Sequence, residues 1–327
     1  MTSEDLILVT GAGGFIGGHL VAALSNIGGC RIRAVDIKDP SQWFQRFQDV
    51  DNQTLDLRDR GNCQKATKDC SQIFNLAADM GGMGFIENNK ALCMESVLIN
   101  THLLQMARQE GCQRFFFSSS ACVYAAGKQN LENNPGLKES DAYPAMPEDG
   151  YGWEKLFSER MCRHYSEDFE LETRVARYHN VYGSMGTWEG GREKAPAAIC
   201  RKVIYAKLRG DKEIEIWGDG AQTRSFMYID DCLHGTIALM NSDVSEPINL
   251  GSSEMVSVNQ LVDLVEEIAG IRLRRTYQLD APTGVRGRCS DNTLIQRKLG
   301  WSPSISLQAG IEKTYSWIFD QIHNKEL

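Results

Sequence analysis

The sequence predicts an α/β chain: a doubly wound parallel sheet with helices on both faces, and a smaller lobe interleaved toward the C-terminal half. Three observations carry this prediction. Short apolar strand patterns alternate with helical ones through the first 180 residues, a glycine-spaced turn joins the first strand to the first helix, and beyond residue 180 the rhythm changes to glycine-rich loops and isolated helices. A length of 327 residues exceeds what one compact core usually holds, in keeping with two lobes that share chain.

Taken in order, residues 6–10 read as a buried strand, and Gly11-Ala12-Gly13-Gly14-Phe15-Ile16-Gly17 turns it into a helix carrying Leu20, Ala23 and Leu24 on one face. Residues 31–36 form a second strand; 54–57, 73–77, 114–118 and 173–177 follow as further strands, with a helix over 91–109 among the connections. Then come a loop at 184–191, a helix through 198–208 and a strand at 213–217. The stretch 225–231 predicts a strand running into an N-capped helix. Residues 248–250 are expected to return to the sheet, and 256–269 and 308–321 pattern as amphipathic helices. The expected division is a nucleotide-binding unit over 1–180, with returning segments near 225–252, and a mainly substrate-binding unit over 181–327.

Composition excludes several function classes. The net charge of −8 comes from interspersed signs without a basic run, so the footprint of a nucleic-acid or anionic-membrane binder is missing. The ten cysteines contain no CxxC pair and the six histidines no HxxxH spacing, which argues against a disulfide framework and a metal site. The acidic start, Met1 to Asp5, runs into a short apolar stretch unlike a signal peptide, and no segment nears the roughly 20 apolar residues of a membrane span. A reduced, cytoplasmic protein without a metal is expected.

Gly11, Gly14 and Gly17 give the spacing GxxGxxG between a strand and a helix. Such a turn, including Phe15 and Ile16, lets a pyrophosphate approach helix N–H groups that have no internal partner. The spacing predicts either the phosphate-binding turn of a Rossmann-type sheet or a merely tight strand-to-helix turn. Asp36 ends the second strand about 20 residues on, where a carboxylate holds ribose hydroxyls and repels a 2′-phosphate; NAD is favoured, while Arg33 and Lys38 nearby keep NADP open. Asp56 either caps the adenine edge or serves its turn. Small residues over 75–78 allow backbone to come close to a cofactor.

Tyr151 and Lys155 stand at i and i+4 of a predicted helix, so an ammonium lies beside a phenol. That arrangement lowers a phenol that titrates near ~10 and makes it a usable base. Cys122, after the serine-rich strand end Ser118-Ser119-Ser120, is either a small buried filler or a proton acceptor activated by a nearby cation. Lys194, where a glycine loop meets a helix start, is either solvated or a proton donor.

The glycine turn, Asp36, the Ser118–Tyr124 stretch and Tyr151 to Lys155 together resemble the extended short-chain dehydrogenase/reductase superfamily and its nucleotide-sugar epimerases and dehydratases. The resemblance implies a tightly held NAD, Tyr151 as the base for the sugar 4-hydroxyl, Lys155 as its tuner and a ribose contact, and Ser120 as a third hydrogen-bond partner. In the superfamily's 4,6-dehydratases Asp and Glu typically occupy the places of Ala121 and Cys122, so dehydration loses favour.

Longer segments narrow the resemblance. NLAADMGGMGFI (75–86), SSACVY (119–124), GTWEGGREKAPAA (186–198), WGDGAQTRSF (217–226) and GVRGRCSDN (284–292) look like the GDP-mannose 3,5-epimerases. The family's acid/base pair falls on Cys122 and Lys194, as acceptor and donor, first at C5 and then at C3. Its substrate contacts fall on Gly81, Ser120, Ala121, Cys122, Asn180, Glu193, Lys194, Ala195, Lys202, Gln222, Thr223, Arg224 and Arg288. Of these, Lys202, Arg224 and Arg288 suit a diphosphate. The family also implies GDP-mannose as substrate, GDP-L-galactose as product with GDP-L-gulose after inversion at C5 alone, and, by analogy with the superfamily, a homodimer. An epimerase of another nucleotide sugar and a non-catalytic NAD-binding sensor stay open at this point.

Overall fold

The computed structural model describes residues 5–326. Six strands appear in chain order before residue 180: β1 (Leu6–Thr10), β2 (Arg31–Asp36), β3 (Asp51–Thr54), β4 (Gln72–Asn75), β5 (Arg114–Ser120) and β6 (Glu172–Tyr178). With Ile248–Leu250 they make a seven-stranded parallel sheet, ordered Ile248–Leu250, β6, β5, β4, β1, β2, β3. The predicted return of 248–250 to the sheet is therefore present, and the order reverses between β1 and β4.

Burial explains why the strands read as apolar runs. Both faces are covered: Ile7 and Val9 of β1 point into one apolar cluster with Leu20 and Ile199, while Leu6 and Leu8 point into another with Leu57 and Leu103. Phe116 and its neighbours Phe115 and Phe117 split in the same way along β5. Each extra CH2 buried here is worth about 0.8 kcal/mol, so slipping a strand by one residue exchanges both faces at high cost.

Several boundaries differ from expectation. The third strand is Asp51–Thr54, ahead of the predicted 54–57. As an edge strand it pairs only with β2 and can be polar, while the apolar Leu55 and Leu57 that suggested the strand pack against the helices beyond it. The helix over 91–109 is two pieces, Lys90–Met94 and Ser96–Gln109, meeting at Glu95. The helix through 198–208 starts earlier, at Ala195, with Pro196 in its first turn, where proline's missing N–H costs nothing. At 225–231 two strands, Thr223–Ser225 and Met227–Tyr228, precede helix Ile229–Met240, whose cap residue Tyr228 makes no side-chain cap. Asp230 and Asp231 lie inside the first turn, and Asp231 accepts from Ser304 N and Ile305 N.

Outside the seven-stranded sheet the described strands form small sheets of two or three strands. Met255–Ser257 pairs antiparallel with Thr223–Ser225, which pairs in parallel with Gly287–Arg288; Glu213–Trp217 pairs with Arg274–Gln278. Ser257 and Gln260 cap helix Val258–Ala269 reciprocally. The register that sets Arg288 opposite Arg224 matters for the site.

Candidate active site

The C-terminal ends of β1, β2, β4 and β5 open on a cavity of about 550 Å3, at the reversal of strand order where ligands bind in such sheets. Gly11 leaves β1 with φ +68°, and a Cβ there would come within 2.9 Å of the Leu76 carbonyl. A Cβ on Gly17 would lie 2.1 Å from Gly11 O, so only glycine lets helix Phe15–Ile27 start so close to the strand. Gly14 offers no side-chain cap, leaving the first-turn N–H groups to a ligand. Asp36 accepts from Gly13 N at 3.0 Å and Lys38 N at 2.9 Å, which fixes its carboxylate at the turn.

Gly11, Gly14, Phe15, Ile16, Gly17, Asp36, Asp56, Tyr151 and Lys155 all line this cavity. Its size, the uncapped helix start and the fixed carboxylate fit a dinucleotide. Asp56 is partly spoken for: Arg58 holds its carboxylate at 2.8 Å and keeps it below the usual carboxylate range.

Helix Tyr151–Phe169 begins after Gly150, at φ +72°, and buries both Tyr151 and Lys155. The Lys155 ammonium stands 5.5 Å from the centre of the Tyr151 ring and 4.7 Å from that of Phe117, and it meets the Glu154 carboxylate at 3.7 Å. Burial pushes the Tyr151 hydroxyl well above its ordinary value; Cys122 and Glu154 add to this and Ser120 opposes it. The lowered phenol expected from Lys155 is thus absent in the chain by itself: burial sets the direction, and Glu154, which meets Lys155 at 3.7 Å, adds to it.

Where β5 ends, Ser120 accepts from Cys122 N at 3.2 Å and caps a single turn, Ala121–Val123. That turn buries Cys122, whose Sγ lies 3.6 Å from Arg288 Nη1. The cation expected beside the thiol is present, but it does not dominate. Burial, then Glu148, raise the Cys122 thiol to about 11, against the pull of Arg288 and Ser120. Lys194 precedes helix Ala195–Arg209, its carbonyl accepts from Ala198 N at 3.0 Å, and it lines the same cavity, with no hydrogen bond or ion pair to its ammonium among the described residues. Burial lowers its pKa.

Gly81 and Ser120 share the cavity wall with Lys194. Ala121 and Cys122 are packed at its edge, in apolar clusters that hold Leu156 and Tyr151 respectively. Asn180, at φ +44°, donates to Ser225 O at 3.0 Å, and Glu193 pairs with Arg201 at 2.8 Å. Ala195 opens the helix. Thr223 donates to Glu132 O, and Gln222 donates to Trp217 O at 2.9 Å while its own oxygen is buried without a partner.

The three cations assigned to a diphosphate are not one cluster. Arg224 and Arg288 are register partners, and burial together with Arg288 pushes the Arg224 guanidinium down to about 10, the signature of a site that favours an anion. Lys202 instead donates to Glu215 O at 2.8 Å and pairs with its carboxylate at 3.6 Å. Sequence reasoning missed Gln129 and Glu148, both bound to Arg288, and Arg192, which lines the cavity. Glu148 sits in a polar loop with no motif to mark it, whereas Arg192 stood beside Lys194 in the quoted GGREK segment.

A family model described as the NAD dependent epimerase/dehydratase family matches residues 7–251. GDP-mannose 3,5-epimerase 1 of Oryza sativa subsp. indica is 48% identical over 326 residues, covering 99% of this chain and 84% of that protein. The structure of UDP-glucose 4-epimerase from Thermotoga maritima with UDP-glucose superposes with a TM-score of 0.86 at 26% identity, over 97% of this chain and 99% of that one. UDP-glucuronic acid 4-epimerase from Bacillus cereus, in complex with UDP-glucuronic acid and NAD, gives 0.78 at 26% identity with the same coverage.

Proposed function

The chain belongs to the NAD-dependent epimerase/dehydratase family, and from that premise we propose that it is a GDP-mannose 3,5-epimerase that converts GDP-mannose to GDP-L-galactose. The observation that carries this reading is the near full-length identity to the rice enzyme. The placement of Tyr151, Ser120 and Lys194 on one cavity wall, with Cys122 at its edge, supports it.

The glycine turn and Asp36 would hold NAD, which when bound would supply a reversible hydride acceptor for C4 of the sugar. Tyr151 takes the 4-hydroxyl proton, and Ser120 orients that hydroxyl. The resulting ketone acidifies the hydrogens on C5 and C3. Cys122 withdraws a proton from one face and Lys194, unpaired and desolvated, returns one to the other; solvent then takes the proton from Cys122 and resupplies Lys194, and after a change of ring pucker the pair repeats the exchange at C3. Return of the hydride to C4 and of the proton from Tyr151 to the 4-oxygen restores the alcohol and closes the cycle. Arg224 is the guanidinium offered to the diphosphate, since its fork matches phosphate oxygens, whereas Arg288 is engaged by Glu148, Gln129 and Cys122.

A panel of GDP-, UDP- and dTDP-sugars tests the selectivity: turnover is expected with GDP-mannose, and preference for another nucleotide sugar contradicts the reading. Cytoplasmic location is part of it, supported by ten free cysteines. So is a homodimer, because Met94, Leu98, Trp153 and Phe157 stay exposed around two helices, Ser96–Gln109 and Tyr151–Phe169, that pack side by side. Light scattering should return twice the chain mass, and Leu98→Glu with Phe157→Glu should return the monomer; a native monomer contradicts the dimer.

A further inference from the structure

We infer that Glu148 is a positioning residue for Cys122: it competes with the Cys122 sulfur for the Arg288 guanidinium and so controls how readily that thiol ionises. The inference rests on the function proposed above in requiring Cys122 to exchange protons. Glu148 N donates to Cys122 O at 3.0 Å, tying the two residues together. One Glu148 oxygen pairs with Arg288 Nη2, while Arg288 Nη1 lies 3.6 Å from Cys122 Sγ and Nε donates to Gln129 Oε1 at 2.6 Å. The guanidinium is therefore fully shared. The second carboxylate oxygen, Oε2, is buried with no conventional partner, and the carboxylate stands close enough to the thiol to favour its protonated form directly.

Every charged or titratable group around the thiol enters the balance. Arg288, Arg224 and Lys194 favour the thiolate, while Glu148 opposes it. Tyr151 and Cys93 pack against it and, raised by burial, stay neutral. Burial works against the Glu148 charge too, but Arg288 holds its carboxyl below the usual range. A carboxylate charged at neutral pH thus stands against a thiol that must become negative to accept a proton. Taking away that charge while keeping the shape, as Glu148→Gln does, leaves the guanidinium to the sulfur. A charge change at such range shifts a pKa by roughly 1–3 units.

The test uses the full chain loaded with NAD. Titrating thiolate absorbance, with the Cys122→Ser variant as the blank, isolates the Cys122 step without any sugar. In the native chain that step is expected near about 11; in Glu148→Gln it should fall by roughly 1–3 units, and Glu148→Asp, which keeps the charge, should stay close to the native value. A step that stays put or rises in Glu148→Gln, with melting unchanged, overturns the inference. The pH profile of epimerisation is the second readout. Its acid limb should move down with the titration; a titration that moves while the limb does not upholds Glu148's hold on the thiol and removes Cys122's ionisation from the proposed reaction.

Discussion

Cys122→Ser is expected to lower formation of inverted product by about 10^2–10^4-fold, the range of a lost general acid/base, while oxidation at C4 persists. Serine keeps the size and the bond to the turn capped by Ser120, so the fold should hold. What is lost is a proton carrier that can ionise: the site already raises a thiol to about 11, and a hydroxyl is far less acidic. Mixed with GDP-mannose, the variant should accumulate reduced nicotinamide, visible by its absorbance, with no GDP-L-galactose on chromatography. Native rates of inversion would remove Cys122 from the reaction.

Tyr151→Phe should act one step earlier, with a loss of similar size, about 10^2–10^4-fold. Tyr151 is buried next to Ser120 and is the phenol on the cavity wall beside Lys155. Phenylalanine retains the ring packed with Cys93 and Cys122 and removes the oxygen that takes the 4-hydroxyl proton. Neither reduced nicotinamide nor inverted sugar should form, because the ketone that acidifies C3 and C5 is never made. Exchange at C5 surviving in Tyr151→Phe would contradict this order of events. The two variants thus separate the oxidation set from the inversion set.

The sheet was legible because its strands are covered on both faces: β1 and β5 read as apolar runs, and the glycine turn could sit only between strand and helix. β3 was misplaced because an edge strand needs no apolar signal, and its neighbours Leu55 and Leu57 carried one. Motif residues on strand ends were legible for a related reason. Gly11, Asp36, Ser120, Tyr151 and Lys194 belong to different elements, and the sheet collects them on one cavity.

Charge balance was not legible. Lys155 promised a lowered phenol, yet the adjacent Glu154, in the same YGWEK segment, turns inward and meets it. Cys122 promised a thiolate beside a cation, yet Glu148 reaches the same cation from a loop about 140 residues away in sequence from Arg288. Pairings across such separations depend on packing, which local spacing does not encode. The same holds for Lys202, whose partner Glu215 lies on a strand that its own helix covers.

On the proposed function, one cavity oxidises C4 and inverts C5 and C3 of GDP-mannose. Incubating the chain with GDP-mannose in deuterated water and reading the recovered GDP-hexoses by NMR tests it most directly. Deuterium at C5 and C3 of the product, with none at C4 because that hydrogen returns as the same hydride, is the predicted result. Recovery of unlabelled GDP-mannose without any new GDP-hexose, or label confined to C4, would contradict it.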